Sequence, residues 1–249
     1  MISPNHPCLA RRIAGLRRIL LLAAVCCLLP AFLSHTTPMQ AEAATLPVTA
    51  KQVRVGLANS LHTAELRCGN GFTIGVSDRD GRGFETLFSL GNTALRVRMN
   101  GDGSLSLTDG ASGQTLYTHT SQRPLALRGA GGQPVTMDDR EYPGFMEITP
   151  FDGGLRVVNV VELETYVKCV MGIEIGTAHP KETRRAFSVM IRTVPMSTTK
   201  HASKGYDVCG TNCCQVYRGN FRRDPENDLI VDSTKGEYIT YEGEPIKCF

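Results

Sequence analysis

Once its first 43 residues are set aside, this chain has no net charge. The whole sequence carries 27 Lys and Arg against 24 Asp and Glu. Residues 1–43 hold four of the arginines and Glu42, which leaves 23 of each sign in the other 206 residues. A balanced chain has no bulk attraction to a phosphate backbone, so nucleic acid is not an expected partner. Long low-complexity segments and internal repeats are also missing. Gly129, Gly131 and Gly132 are too loosely spaced for a phosphate-binding loop. No Ser/His/Asp or Cys/His catalytic arrangement assembles, and His62, His119 and His179 have no partners at ligand spacing. The N-terminal apolar run Ile19–Leu33, cut short by Pro30 and Ser34, falls below the roughly 20 residues that a membrane span needs.

What that run does fit is a secretory leader. Arg11, Arg12, Arg17 and Arg18 precede it, and Ala41, Ala43 and Ala44 follow it. A basic segment, a short apolar segment and an Ala-x-Ala site make a signal peptide, with cleavage expected after Ala43. The protein is then exported, extracellular or bound to the cell wall, and membrane-anchored if the leader is not cleaved. Val25 before Cys26 argues against a lipoprotein site. The Arg11-Arg12 pair lacks the rest of a twin-arginine signal.

Residues 44–141 read as a β-rich N-terminal region. Gln52–Leu57, Leu95–Met99 and Ser104–Thr108 alternate polar and apolar residues, as half-buried strands do. Asn100-Gly101-Asp102-Gly103 and Asp109-Gly110 are hairpin turn signals between or after them. Gly144–Ile148 and Leu155–Val158 continue the pattern around Asp152-Gly153-Gly154.

Helical periodicity begins near Asn159, which with Glu162 spells a capping box. Leu163, Tyr166, Val167, Val170 and Met171 then form one buried stripe. Glu164 and Lys168 suit an exposed i,i+4 pair, and Gly172 is the expected end. A second helix opens at Thr177–Pro180, with Ala186, Val189, Met190 and Thr193 facing inward and Phe187, Ile191 and Val194 beside them. Pro195 stops or kinks it. Tyr238–Tyr241 and Pro245–Phe249 flank Glu242-Gly243-Glu244 as a hairpin. The fold class is α+β: an antiparallel β-rich region, two helices and a short hairpin.

Glu174 stands just past the first helix, between Ile173 and Ile175. The negative end of the helix and apolar neighbours both favour the protonated carboxyl, as a general acid requires; an ordinary exposed loop glutamate is the alternative. Arg185 and Arg192 are seven residues apart, so they share a helix face and could grip one anionic group. Arg185 could instead pair with Glu182, and Arg192 could be a surface charge.

Nine cysteines are present. Three lie in the leader, and Cys68, Cys169, Cys209, Cys213, Cys214 and Cys248 remain. Their spacing is not that of a disulfide framework. Cys209, Cys213 and Cys214 with His201 offer four ligands for zinc. A disulfide from Cys209 to Cys213 or Cys214 is the other reading.

Several motifs in order carry a family likeness. They are Leu163-Glu164-x-Tyr166-Val167, Val170 through Glu174, Pro180-x-Glu182, Ala186, Val189 and Arg192-Thr193. Tyr206 to Cys209, Gln215-Val216-Tyr217-x-Gly219, Thr234-x-Gly236-Glu237 and Tyr241-x-Gly243 follow. On these residues the chain resembles the stage II sporulation protein D family (SpoIID/LytB domain) over roughly residues 142–249.

The resemblance implies a lytic transglycosylase of peptidoglycan glycan strands, in cell-wall remodelling and sporulation, with Glu174 as the acid/base. Arg185, Arg192 and Gln215 would bind substrate. Structural zinc at His201, Cys209, Cys213 and Cys214 is the implied cofactor. A wall amidase and sporulation engulfment proteins are the implied partners besides the glycan. The amidase-modifier branch of the family implies an alternative, a non-catalytic wall-binding or amidase-enhancer protein. Departures from the family pattern are Ile175-Gly176 for a Met-Pro pair, Arg185 for lysine, Cys213 for histidine and Val194-Pro195 for a tyrosine and more helix. With Phe249 as the last residue, the domain reads as incomplete.

Overall fold

The computed structural model describes residues 52–78 and 81–247. The leader and Cys248 lie outside the described residues.

Two sheets, antiparallel except for the short β1–β13 pair, share one core. The chain enters as β1 (Gln52–Leu61), β2 (Thr63–Arg67), β3 (Phe72–Ser77), β4 (Phe84–Leu90), β5 (Ala94–Met99) and β6 (Leu105–Asp109). It continues as β7 (Thr115–His119), β8 (Leu125–Gly129), β9 (Val135–Met137), β10 (Arg140–Tyr142), β11 (Phe145–Phe151) and β12 (Gly154–Glu162). Helices α1 (Leu163–Glu174) and α2 (Lys181–Ser197) follow. Then come β13 (Val208–Cys209), α3 (Pro225–Ser233) and a hairpin of β14 (Thr240–Tyr241) and β15 (Glu244–Pro245). The fold is α+β, as the sequence pattern indicates.

The larger sheet runs β13-β1-β12-β11-β8-β3-β4, and the smaller β10-β9-β2-β5-β6-β7. Their inward faces alternate as strands half-buried in one core must. Val53, Val55, Ile74, Leu127, Ile148 and Val157 of one sheet meet Ala64, Leu66, Leu95, Val97 and Leu107 of the other. Strands β1, β3, β4 and β8 precede residue 142, yet they share a sheet with β11, β12 and β13, which follow it. The expected boundary at 141/142 therefore falls inside one sheet.

The Asp-Gly and Asn-Gly signals mark real turns. Asp152 and Gly153 both take positive φ between β11 and β12, the twist a two-residue hairpin requires. Glu242 and Gly243 do the same between β14 and β15.

Asn159 is not a helix cap. It sits inside β12, fully buried, where its amide donates to Pro143 O and Phe145 O and its Oδ1 accepts the Tyr217 hydroxyl at 2.6 Å. Those three bonds satisfy a buried side chain within the strand, so the helix starts four residues later.

Candidate functional site

Helix α1 buries the stripe its spacing calls for: Leu163, Tyr166, Val167, Val170 and Met171. It does not end at Gly172. A Cβ there would sit 2.0 Å from Arg222 O, so this glycine lets a loop backbone lie against the helix. The helix ends two residues later. Gly176, at φ +61°, turns its N–H back to Met171 O, a left-handed cap.

Helix α2 crosses α1 and runs to Ser197, past Pro195. The proline lies in the last turn, so its missing N–H ends nothing and the helix completes its final residues. Helix α3 is capped by Asp224, whose side chain accepts Glu226 N–H, with Pro225 at the first position.

The helix pair is locked by an ion pair that the sequence pattern places elsewhere. Glu164 does not pair with Lys168. Both its oxygens accept from Arg192, from Nε at 3.0 Å and from Nη2 at 2.7 Å. Lys168 pairs instead with Asp232 of α3. Arg192 is 0% exposed, and its remaining donors reach Glu237 O and Val231 O.

This overturns the expectation that Arg185 and Arg192 grip one anion. Arg192 faces α1 and has no surface left for a ligand. Arg185, two turns away, is half-buried and pairs with Glu182 at 3.6 Å.

Glu174 ends α1 at the rim of a hollow of about 100 Å³ formed with Phe187, Met190, Ile191, Val194, Cys214 and Gln215. Its residue class is exposed, so its surroundings are wetter than flanking isoleucines suggest. Oε1 accepts the Val216 N–H at 2.7 Å. That bond holds one carboxylate oxygen and leaves the other directed by the same geometry but uncommitted. Glu174 is the only carboxylate in the lining of the hollow.

Gln215 does stand beside Glu174. Its Oε1 accepts the hydroxyl of Tyr166, fully buried in α1, at 2.9 Å. Burial pushes the Tyr166 phenol well above its usual range, and the neighbouring thiols add to this. It therefore stays a donor, and the Gln215 amide group is free for another partner. Tyr166 stacks on Tyr217, ring centroids 5.3 Å apart. Sequence reasoning missed Val216, which acts through its backbone and so leaves no side-chain signal. It also missed the wall of the hollow, because Phe187, Ile191 and Val194 read only as core.

Val194 and Cys214 also border a larger groove of about 510 Å³, edged by Thr199, Lys200, Asn212 and Lys247.

The Cys-rich turn brings its four expected ligands together. The donor atoms of His201, Cys209, Cys213 and Cys214 all lie within 4.8 Å of one another. Cys213 Sγ is 3.5 Å from His201 Nε2. Adjacent Cys213 and Cys214 can point one way because the turn is sharp: Cys214 N–H returns to Thr211 O. All described cysteines are free thiols, so the disulfide reading does not describe this turn.

Burial, then Lys204 and Lys200, lower the His201 pKa and favour neutral imidazole. Burial raises the Cys209 thiol, but bonds from Thr211 and the two neighbouring thiols outweigh it and the net shift is downward. Burial pushes Cys214 up to about 11. A Cys₃His set at this spacing fits tetrahedral zinc, with bonds of about 2.3 Å to sulfur and 2.0–2.1 Å to nitrogen.

Fold and site together define an α+β protein whose helical pair presents one carboxylate beside a Cys/His turn. Residues 151–241 match the SpoIID family, described as stage II sporulation protein, and the chain carries a domain of that family. The match assigns it a sporulation-related function in the cell wall. The chain is also 33% identical over 116 residues to an uncharacterized protein of Brachyspira hyodysenteriae, a stretch covering 46% of this chain and 32% of that one. The match thus spans about a third of the relative's length. No helix among the described residues is long and apolar enough to cross a membrane.

Proposed function

We propose that the protein is an exported lytic transglycosylase acting on the glycan strands of peptidoglycan, with Glu174 as the single acid/base. The observation that carries this is the carboxylate pinned at Oε1 by the Val216 N–H, in a hollow lined by no second carboxylate. Hydrolases that use water work with two carboxylates. One suffices where the nucleophile is the substrate's own hydroxyl. Because Oε1 accepts a hydrogen bond, the proton to be delivered rides on Oε2.

Glu174 gives that proton to the glycosidic oxygen between N-acetylmuramic acid and N-acetylglucosamine as the C–O bond breaks. The resulting carboxylate then takes the proton of the muramyl 6-hydroxyl, whose oxygen closes the 1,6-anhydro ring. The carboxyl is regenerated and no water is consumed. Gln215, oriented by Tyr166, offers its amide to the sugar. The Cys/His turn would hold structural zinc through His201, Cys209, Cys213 and Cys214, which would brace the loop that carries Gln215 and Val216. A wall amidase or engulfment proteins would work on the same strands.

The test is digestion of denuded, reduced glycan strands with mass spectrometry for 1,6-anhydro ends. The wild type should produce them and Glu174→Gln should not. Equal product profiles would end this reading.

The small size and exposure of the hollow favour a second one: a wall-binding or amidase-enhancing protein that does not cut. It predicts retention on insoluble wall, unchanged in Glu174→Gln, with no anhydro ends from either protein.

A further inference from the structure

A second hollow, of about 410 Å³, lies in the β-sheets. It falls within the roughly 300–1,000 Å³ of small-molecule sites. Three segments close it: the β5–β6 turn at Asp102–Leu105, the β7–β8 connection at His119–Pro124, and Ile148–Pro150 of β11. Pro150 pairs with Leu155. Strand β12 then runs eight residues to the start of α1, about 26 Å at the rise of a strand. The hollow is thus a place apart from Glu174, and it shares no lining residue with the Cys/His turn.

Its charges are already matched by neighbours. Arg123 donates through Nε to Ser77 O and through Nη1 to Glu85 at 2.6 Å. Asp102 Oδ1 accepts both the amide and the hydroxyl of Ser104. The rest of the polar lining is small and neutral: Thr120, Ser121, whose hydroxyl also accepts the Arg123 N–H, Thr149 and Gln122. Beside them lie the apolar faces of Leu105, Ile148, Pro124 and Pro150. Arg123 is the one cation in this lining among the described residues, and its ion pair with Glu85 offsets the charge that would hold a phosphate or carboxylate.

His119 forms part of the wall and is 3% exposed. Arg123 O can only accept, so His119 Nε2 carries the proton and donates to it at 2.8 Å. Nδ1 is then a bare acceptor, buried and without a partner. Leaving such a group unmatched costs about 1–3 kcal/mol, and native proteins rarely do so.

We propose that this hollow is a binding site for a neutral carbohydrate, one or two sugar rings long. Ring hydroxyls meet Thr120, Ser121 and Gln122, and the C–H face lies on the apolar strip. The His119 ring, in the wall of the hollow, stands close enough to report on a ligand there. The site is independent of Glu174. It would anchor the protein to wall glycan at a second point.

The experiment is a titration with the neutral trimer of N-acetylglucosamine, followed by NMR of backbone amides and imidazole nitrogens. A galacturonate trimer of similar size is the charged control. The neutral trimer should shift the His119 Nδ1 resonance and the amides of Ser121 and Gln122, equally in wild type and Glu174→Gln. Thr120→Ala/Gln122→Ala, both on an exposed connection, should weaken those shifts at least tenfold, and the galacturonate trimer should bind at least tenfold more weakly. Shifts confined to the neighbourhood of Glu174, undiminished binding in the double variant, an unmoved His119 or equal affinity for both trimers would each overturn the proposal. None of these readouts depends on formation of anhydro ends, so this site and the catalytic reading stand or fall separately.

Discussion

Glu164→Gln is the substitution that most directly tests how the helical region is held together. It keeps the shape of the side chain and one acceptor oxygen but removes the charge opposite Arg192. The guanidinium is 0% exposed, bonded to Glu164 at 3.0 and 2.7 Å and to Glu237 O at 2.9 Å. Water cannot reach it to replace the lost partner. Breaking a buried pair from one side costs about 3–5 kcal/mol. For a chain of 150–250 residues each kcal/mol moves Tm by about 2–4 °C, so the expected fall is about 6–20 °C. Differential scanning calorimetry at neutral pH reads it. The paired change Glu164→Leu/Arg192→Met removes both charges and should recover most of the loss, since apolar replacements of buried pairs are often neutral or better. A loss under about 1 kcal/mol, the worth of an exposed pair, would refute the reasoning. So would a double variant no more stable than the single one.

Three further outcomes are expected. Gly172→Ala places a Cβ 2.0 Å from Arg222 O; it should destabilise by about 1–3 kcal/mol, as overpacking does, in denaturant unfolding, although alanine is the better helix former. Asp109 is held down to about 2 by the amide and hydroxyl of Ser112 and the amide of Asn92. Its folded value lies below its unfolded one, so its contribution is present above pH 4 and is lost as pH falls toward 2. The Tm gap between wild type and Asp109→Asn should therefore narrow over that window, and a gap independent of pH would contradict it. Elemental analysis should find near-stoichiometric zinc in the purified protein and little in Cys209→Ser, with a lower Tm on chelation; equal metal content in both would remove the zinc assignment.

The sequence made the helices and turns legible where the signal is local. The α1 stripe from Leu163 to Met171 needs only 3.6-residue spacing, and the Asp152-Gly153 turn needs only residues that tolerate positive φ. Helix α3 escaped notice because its nine residues bury only Asn227, Ile230 and Val231, too few for a periodic pattern. Strands β3 and β8 went unread because a strand covered on both faces does not alternate; β4 is an edge strand that buries no residue, so it shows no apolar face. Glu174, Gln215 and the four side chains that gather at the Cys/His turn were singled out by residue type and order. The partner of Arg192 could not be, since Glu164 lies 28 positions away and its competing neighbour Lys168 is only four.

By itself the sequence determined the α+β class, the family likeness of residues 151–241, the carboxylate at the end of α1 and the residue types gathered at the Cys/His turn. These follow from short-range rules: side-chain periodicity, backbone tolerance at turns and the chemistry of residues close along the chain. Only the tertiary structure decided which charges are buried, which backbone amide holds Glu174 and that the β-rich region shares a sheet with the helical part. Those depend on which surfaces exclude water, and that is settled by elements far apart in the chain packing against one another.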